Sequence, residues 1–342
     1  SKDENVFDIM QGVSINIFVK KKQKSKKLAD VYHYDLYGKR DFKYSFLDDN
    51  SLKTIKWEKL DYSEPNYFFV KKDFDELNIY EKFFSVDNLF NIYNTGIMTM
   101  ADGFILSDTK EILKERLEDF INNNHTEEYF NSKYKLGKNY SKWIIENKNK
   151  INIEEANYFK ITHRPFDNKY SYFSDNLLWR SRKNTTLQYL GHKNIGLITA
   201  KSNKSNVVDH FFISNFMSEA KTGESTTQSY NFPLYLYPDE NSLTNEPVPN
   251  FNMDIIKDIE KSLNLNFGNW TLVQSLEKAG GTEVPLPKEK IGGSEVLLPK
   301  KEFQALDLFD YIYAVLHSPS YREKYKEFLK IDFPRVPYPK PE

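Results

Sequence analysis

The segment Leu308-Phe-Asp-Tyr-Ile-Tyr-Ala-Val-Leu-His-Ser-Pro-Ser-Tyr-Arg-Glu-Lys-Tyr-Lys-Glu-Phe-Leu-Lys-Ile-Asp-Phe-Pro-Arg335 constrains the fold more than any other part of the chain. Its apolar residues recur at helical spacing from Leu308 to Leu316 and again from Tyr321 to Leu329. Ser318-Pro319 separates the two runs, and Pro334 stops the second. Pro319 falls in the first turn of the second helix, where a missing N–H costs nothing. The chain is therefore expected to close on an amphipathic helix pair.

Upstream, the hydrophobic period changes several times. Residues 6–47 read as β structure, because Val13, Ile15, Ile17 and Val19 alternate with Ser14 and Asn16 (Phe18 is an exception) and Val31 to Tyr37 forms a second candidate strand before Gly38. Residues 48–150 read as mostly helical. Within them Asp108 is a plausible N-cap with Glu111 three residues on, followed by an apolar stripe of Ile112, Leu113, Leu117, Phe120 and Ile121 that Asn122–Asn124 ends. Residues 151–240 are dense in short strands: Lys193–Lys201, His210–Ser214 and Ser229–Tyr237. Pro233 makes the last an edge or bulged strand. Met253–Leu263 reads as a helix with Ile255, Ile256 and Ile259 inward. Gly280 to Lys288 is echoed by Gly292 to Lys300. Two copies are too few for a solenoid, so a loop or hairpin excursion is expected there.

The 342 residues suffice for two or three domains and a sizeable core. Aromatic residues make up 15%, but with abundant Asn, Lys and Ile this is the mixture an AT-rich genome produces. Cysteine is absent, which excludes disulfides and thiolate metal sites. No apolar run approaches the roughly 18 residues of a membrane helix. The start, Ser1-Lys-Asp-Glu-Asn5, lacks a signal peptide and an initiating Met, so a cytoplasmic piece of a longer protein is expected. The net charge of −1 lacks the basic excess of a stand-alone nucleic-acid binder, so any such surface must be local. Lys20 to Lys27 is one basic run, read as a solvated loop between strands with phosphate contact as the alternative.

Most catalytic signatures are missing. There is no G-x-G-x-x-G after a strand, no Walker motif, no Ser elbow and no H-E-x-x-H. The (Asp/Asn)-Pro-Pro-(Tyr/Phe) string of amino-methyltransferases is also missing; Glu64-Pro-Asn-Tyr67 has the wrong order. The six histidines lack ligand spacing. One near-match is Asp209 followed by Glu219-Ala-Lys221, the acid and E-x-K set of Mg-dependent nucleases. It requires two adjacent strands, and Lys221-Thr-Gly reads as a loop. A nuclease through Asp209, Glu219 and Lys221 is the alternative function, and a docking fragment without DNA contact is a third.

Several strings point to nucleic acid. Trp179, Arg180, Arg182 and Lys183 place three cations beside an indole, which suits phosphate clamping and guanine-edge reading. Lys201, Asn203 and Lys204 fall in a loop after a strand, and asparagine can bond adenine bidentately. Glu224 and Gln228 are further candidates, because loops on a rigid sheet commonly carry recognition. Arg164 and Asp167 are expected to pair across the Pro165-Phe166 turn.

The tail Leu308–Arg335 and the string Phe232-Pro-Leu-Tyr-Leu-Tyr-Pro-Asp239 resemble the C-terminal part of single-chain bacterial restriction-modification enzymes of the type ISP and type IIG class. Val6–Lys20, Asn94–Phe104, Thr162–Tyr172 with Leu178–Lys183, and Gly196–Ser205 are similar to family segments as well. The resemblance implies a mixed α/β chain. Residues 1–47 would be trailing strands of an adenine-specific methyltransferase domain, 48–150 a helical connector, and 151–342 a target recognition domain closed by the C-terminal helix pair. Gln11 and Gly12 would then edge the target-base pocket. The implied role is sequence-specific recognition of double-stranded DNA, without catalysis in this chain. The implied partners are upstream methyltransferase and nuclease domains, and S-adenosylmethionine and Mg would belong to that parent.

Overall fold

The computed structural model describes residues 3–9, 12–20, 22, 27–61, 64, 67–205, 207–238, 246–268, 288–291, 294–297 and 302–341. It contains two compact units, Ser1–Phe74 and Asp75–Glu342.

The first unit is small. Strand β1 (Val31–His33) pairs antiparallel with β2 (Glu58–Leu60), and between them lies helix α1 (Arg40–Asp49). The helix replaces strand where β structure was expected up to residue 47. Its anchors are distant in sequence. Lys43 reaches the Asp3 carboxylate at 2.8 Å and the Glu4 carbonyl at 2.7 Å, and Arg40 reaches Asp8 at 2.8 Å. Phe46 stacks on Tyr34 at 5.6 Å. The alternating segment 13–19 is not a strand here. Among the described residues it forms no ladder, and Ile15, Phe18 and Val19 are 78, 83 and 82% exposed. A period-2 pattern makes a segment able to be a strand, but a strand exists only when a neighbour takes its N–H and C=O groups.

The second unit is a mixed α/β body. Its sheet has the order β3 (Asn94–Thr95), β8 (Ser229–Pro233), β6 (Gly196–Ala200), β7 (Phe212–Ser214), all antiparallel. Beside it the hairpin β4 (Tyr158–Arg164) and β5 (Asp167–Tyr172) packs against helices α2 (Lys110–Asn122), α3 (Glu127–Tyr134) and α4 (Lys138–Asn147). Leu113, Leu117 and Phe120 of α2 are buried, as the stripe requires, although Ile112 is exposed. The N-cap is Thr109, one residue after the expected Asp108; its hydroxyl accepts from Ile112 N–H. Phe104, Phe120 and Phe130 meet edge to face at 4.9–5.7 Å, the offset geometry aromatic quadrupoles favour. The core that holds them also takes Phe159, Ile161, Tyr172, Leu178 and Met217, so it spans both sides of residue 150.

β8 is an interior strand in regular register, not the edge or bulged strand that Pro233 suggested. Proline fits because β3 reaches only Tyr230 and Asn231, so no ladder N–H is needed at Pro233 on that side. The Pro233 carbonyl instead accepts from Asn250 Nδ2 at 2.8 Å. Helix α5 (Met253–Leu263) has the expected bounds, with Ile256 and Ile259 buried. Where a loop or hairpin excursion was expected, Lys288–Ile291 pairs with Ser294–Leu297 as a hairpin; most of the first repeat copy lies outside the described residues.

Helix α6 (Ala305–His317) opens with a capping box between Gln304 and Asp307. Ser318 caps the next helix and Pro319 takes its first position. The second half of the pair is split at Tyr325 into Pro319–Lys324 and Lys326–Leu329. Tyr80 packs on Tyr325 and Phe328 at 4.9 and 4.6 Å, and Arg335–Val336 pairs with Phe84–Ser85. The end of the unit is thereby zipped to its beginning. Among the described residues no helix is long and apolar enough to cross a membrane.

Candidate nucleic-acid interface

A cleft of about 380 Å³ is lined by Trp179, Arg180, Arg182, Lys183, Asn94, Asp175 and Asn184 among others. Three of the eight residues proposed from the sequence thus meet at one place. The backbone that positions them is a ladder built from remote segments. Arg180 and Met98 exchange N–H···O bonds at 3.1 Å each. Ile97 bridges Glu219, and Ser218 bridges Thr162 at the root of the β4–β5 hairpin. Gly96 makes the close approach possible, because a Cβ there would lie 2.4 Å from the Glu219 backbone.

The side chains differ in how they are held. Trp179 is 38% exposed and sets its ring edge-on to Trp143 of α4 at 5.4 Å. Arg182 sits at φ 53°, in the left-handed region, as the cap of a short turn at Lys183–Thr186. Its Nε is buried and has no hydrogen-bond partner among the described residues. An unmet buried donor costs roughly 1–3 kcal/mol. Burial, and then the charge of Arg180, lower its pKa, so both effects favour arrival of an anion. Among the described residues Asp175 is the one carboxylate lining the cleft, and it already accepts from the Ser181 hydroxyl. Arg180, Arg182 and Lys183 make no ion pair among the described residues. Three cations therefore face one occupied carboxylate.

The remaining sequence candidates are placed otherwise. Lys201 turns to Asp332 at 4.0 Å and over the Phe333 ring at 5.8 Å. Asn203 is only 5% exposed, and its Oδ1 accepts from Ser205 N–H at 3.1 Å, so the amide braces its own loop. Lys204 is exposed, with its N–H bonded to Thr227 Oγ1. Glu224 accepts from the hydroxyls of Thr226 and Thr227. Gln228 is half-buried. Asn203 and Glu224 line a second cleft of about 330 Å³ together with Asp209, His210 and Phe212. His210 is buried, bonds Ser229 Oγ at 2.9 Å, and is held down to about 4 by burial and then by the charge of Lys221. Gln11 lies outside the described residues, and Gly12 is exposed with open space around it.

Arg164 and Asp167 pair by backbone across the turn, but their side chains do not form the expected pair. The Arg164 guanidinium meets Glu219 at 2.9 Å, while Asp167 takes His163 and Lys169, each at 3.0 Å. The His163 bond, then that of Lys169, holds the Asp167 carboxyl below its usual range. Glu219, one member of the nuclease alternative, is therefore a brace: the same Oε2 also accepts from Lys221 N–H at 2.8 Å. Lys221 Nζ donates to the Thr226 carbonyl at 3.2 Å, and Asp209 belongs to the second cleft. Among the described residues no group of three or more His, Asp or Glu is arranged to hold a metal ion.

Residues 88–342 match the family described as the Type ISP C-terminal specificity domain. The chain belongs to the Type ISP C-terminal specificity family. Its fold is shared with solved structures of larger proteins. It is similar to DrdV, seen by electron cryo-microscopy in a DNA complex, with 17% identity and a TM-score of 0.59 over 91% of this chain and 28% of DrdV. It is similar to a nuclease-deletion mutant of the Type ISP restriction-modification enzyme LlaGI in complex with a DNA substrate mimic, with 20% identity and a TM-score of 0.58 over 92% of this chain and 27% of that one. The ATP-dependent Type ISP enzyme LlaBIII bound to DNA gives 17% identity and a TM-score of 0.53 over 83% of this chain and 17% of that one. This specificity-family chain thus spans about a quarter of the length of the first two. No curated protein sequence matches it.

Proposed function

We propose that this chain is the DNA-reading part of a single-chain restriction-modification enzyme and performs no bond-making itself. The observation that carries the reading is the cleft in which Arg180, Arg182 and Lys183 make no ion pair among the described residues, beside the exposed Trp179. Guanidinium groups that no described residue pairs with, set on a backbone ladder, suit phosphate oxygens or the O6/N7 edge of guanine, at roughly 1–3 kcal/mol of discrimination per good bidentate contact. Family membership and the DNA complexes of DrdV, LlaGI and LlaBIII support the same reading.

In this proposal residues 1–47 are the trailing strands of an adenine methyltransferase domain that lies mostly upstream, 48–150 are a helical connector, and 151–342 are the target recognition domain. The exposed alternating residues 13–19 fit a strand that finds its neighbour in that upstream domain. S-adenosylmethionine and Mg would serve the parent, and Gln11 and Gly12 would stand near the target base. The test is a titration of the full 342-residue chain against duplex DNA across a salt series. Binding that weakens linearly in log–log form with salt supports the reading, and no binding at low salt refutes it.

A further inference from the structure

The hairpin that is rooted on the same ladder as the cationic cleft ends in Arg164-Pro165-Phe166-Asp167. Arg164 and Asp167 are the last paired residues, so Pro165 and Phe166 form the turn. Proline at the second position is ordinary. The third position has φ 63°, the left-handed value that such a turn normally gives to glycine or asparagine. A bulky aromatic there is a true outlier. Its ring gains no burial in return, because Phe166 has a relative exposure of 104%, and among the described residues it stacks on no other ring. Both backbone preference and the hydrophobic effect oppose this residue, and a strained, solvated aromatic is the kind of outlier that points to function.

The support beneath the tip is stiff. Arg164 is clamped to Glu219 at 2.9 Å, and His163 lies between Asp167 at 3.0 Å and Asp102 at 3.6 Å. Thr162 exchanges backbone bonds with Met217 and Glu219 at 3.0 and 2.9 Å. Proline removes one more backbone freedom. A single ring flanked by charged residues is a poor patch for protein docking, which needs several hundred Å² of contiguous apolar surface. It is well suited to entering a stack of bases, where each base offers a π-face and apolar wedges commonly part a step.

We propose that Phe166 is a base-stacking wedge, which enters the base stack of duplex DNA while the cationic cleft holds phosphate. This rests on the DNA-reading proposal and adds to it an uncharged contact. The test uses the full chain, Phe166→Gly and Phe166→Trp, with a duplex carrying 2-aminopurine at successive positions. The wild type should raise 2-aminopurine emission on binding, as a parted step unstacks the probe. Phe166→Gly should abolish that rise and weaken binding about tenfold with an unchanged salt slope, while its melting temperature stays equal or rises because glycine relieves φ 63°. Phe166→Trp should retain the rise. If wild type and Phe166→Gly bind and perturb the probe alike, the wedge is refuted and the cleft stands. If the wild type binds no duplex at low salt, both readings fall together.

Discussion

The two clefts of the second unit have similar size, about 380 and 330 Å³, and both are lined by residues that suit DNA contact. They differ in what their polar groups already do. In the second cleft Asn203 holds Ser205, Glu224 holds two threonines, and His210 holds Ser229. In the first, Arg180, Arg182 and Lys183 have no ion-pair partner, and Arg182 Nε lacks a hydrogen bond among the described residues. A residue type is a capacity, and a surface can bind only with the capacity its own fold has not used. Under the proposed function, recognition belongs to the first cleft, while the polar groups of the second brace their own loops.

The largest effect should come from breaking the frame beneath the first cleft. Gly96→Ala sets a Cβ 2.4 Å from the Glu219 backbone, and overpacking of this kind should destabilise the second unit by about 3 kcal/mol. Chemical denaturation measures it, and an unchanged midpoint would show that the ladder is soft. Next, Arg180→Ala with Arg182→Ala should weaken duplex binding ten- to a hundredfold at low salt and reduce the salt slope by about two, with the melting temperature retained. An unchanged slope would remove these arginines from the interface. The matching change in the second cleft, Asn203→Ala, should cost about 1 kcal/mol of stability and leave DNA discrimination as it was. Altered sequence preference with normal stability would reverse the assignment of the two clefts.

The second cleft should also carry a pH signature. His210 is held down to about 4 against an ordinary 6.5. Below pH 6.5 the unfolded chain takes up this proton while the folded chain does not, so stability falls as pH drops from about 6.5 to 4. His210→Asn should flatten that window. Asp119 and Asp167, both depressed from 3.8, contribute stability that is present above that value and lost only under stronger acid. A wild-type stability curve flat between pH 6.5 and 4 would place His210 in contact with water. The smallest effect is expected for Lys201→Ala, an exposed cation at 4.0 Å from Asp332, where roughly 0–1 kcal/mol is at stake.

Reading the sequence worked where the physics is local. The stripe Leu113, Leu117, Phe120, the Met253–Leu263 helix and the Ser318-Pro319 break depend on residues within a few positions of one another. The miss at Thr109 is one residue, because Asp108 and Thr109 are both good caps. Reading failed where a partner is remote. Helix α1 depends on Asp3 and Glu4 holding Lys43, and nothing near residues 40–49 announces that. The Arg164–Asp167 pairing was plausible by proximity, yet Arg164 chose Glu219, 55 positions away. The signal for Phe166 was present, since a proline followed by phenylalanine in a two-residue turn puts an aromatic where glycine belongs, but only the backbone angle and the exposure give it weight.

By itself the amino-acid order determined that this chain carries a mixed α/β body, a closing helix pair, no cysteine chemistry and a local cluster of cations beside Trp179. Periodicity, capping and residue type act over a few positions and survive any arrangement of the rest. Tertiary structure alone decided which cations stay unpaired, which carboxylates become braces and which aromatic ring stands in water. Those outcomes depend on segments meeting across the ladder of residues 96–98, 162–164, 178–182 and 217–220, and no short-range rule specifies which distant group arrives first.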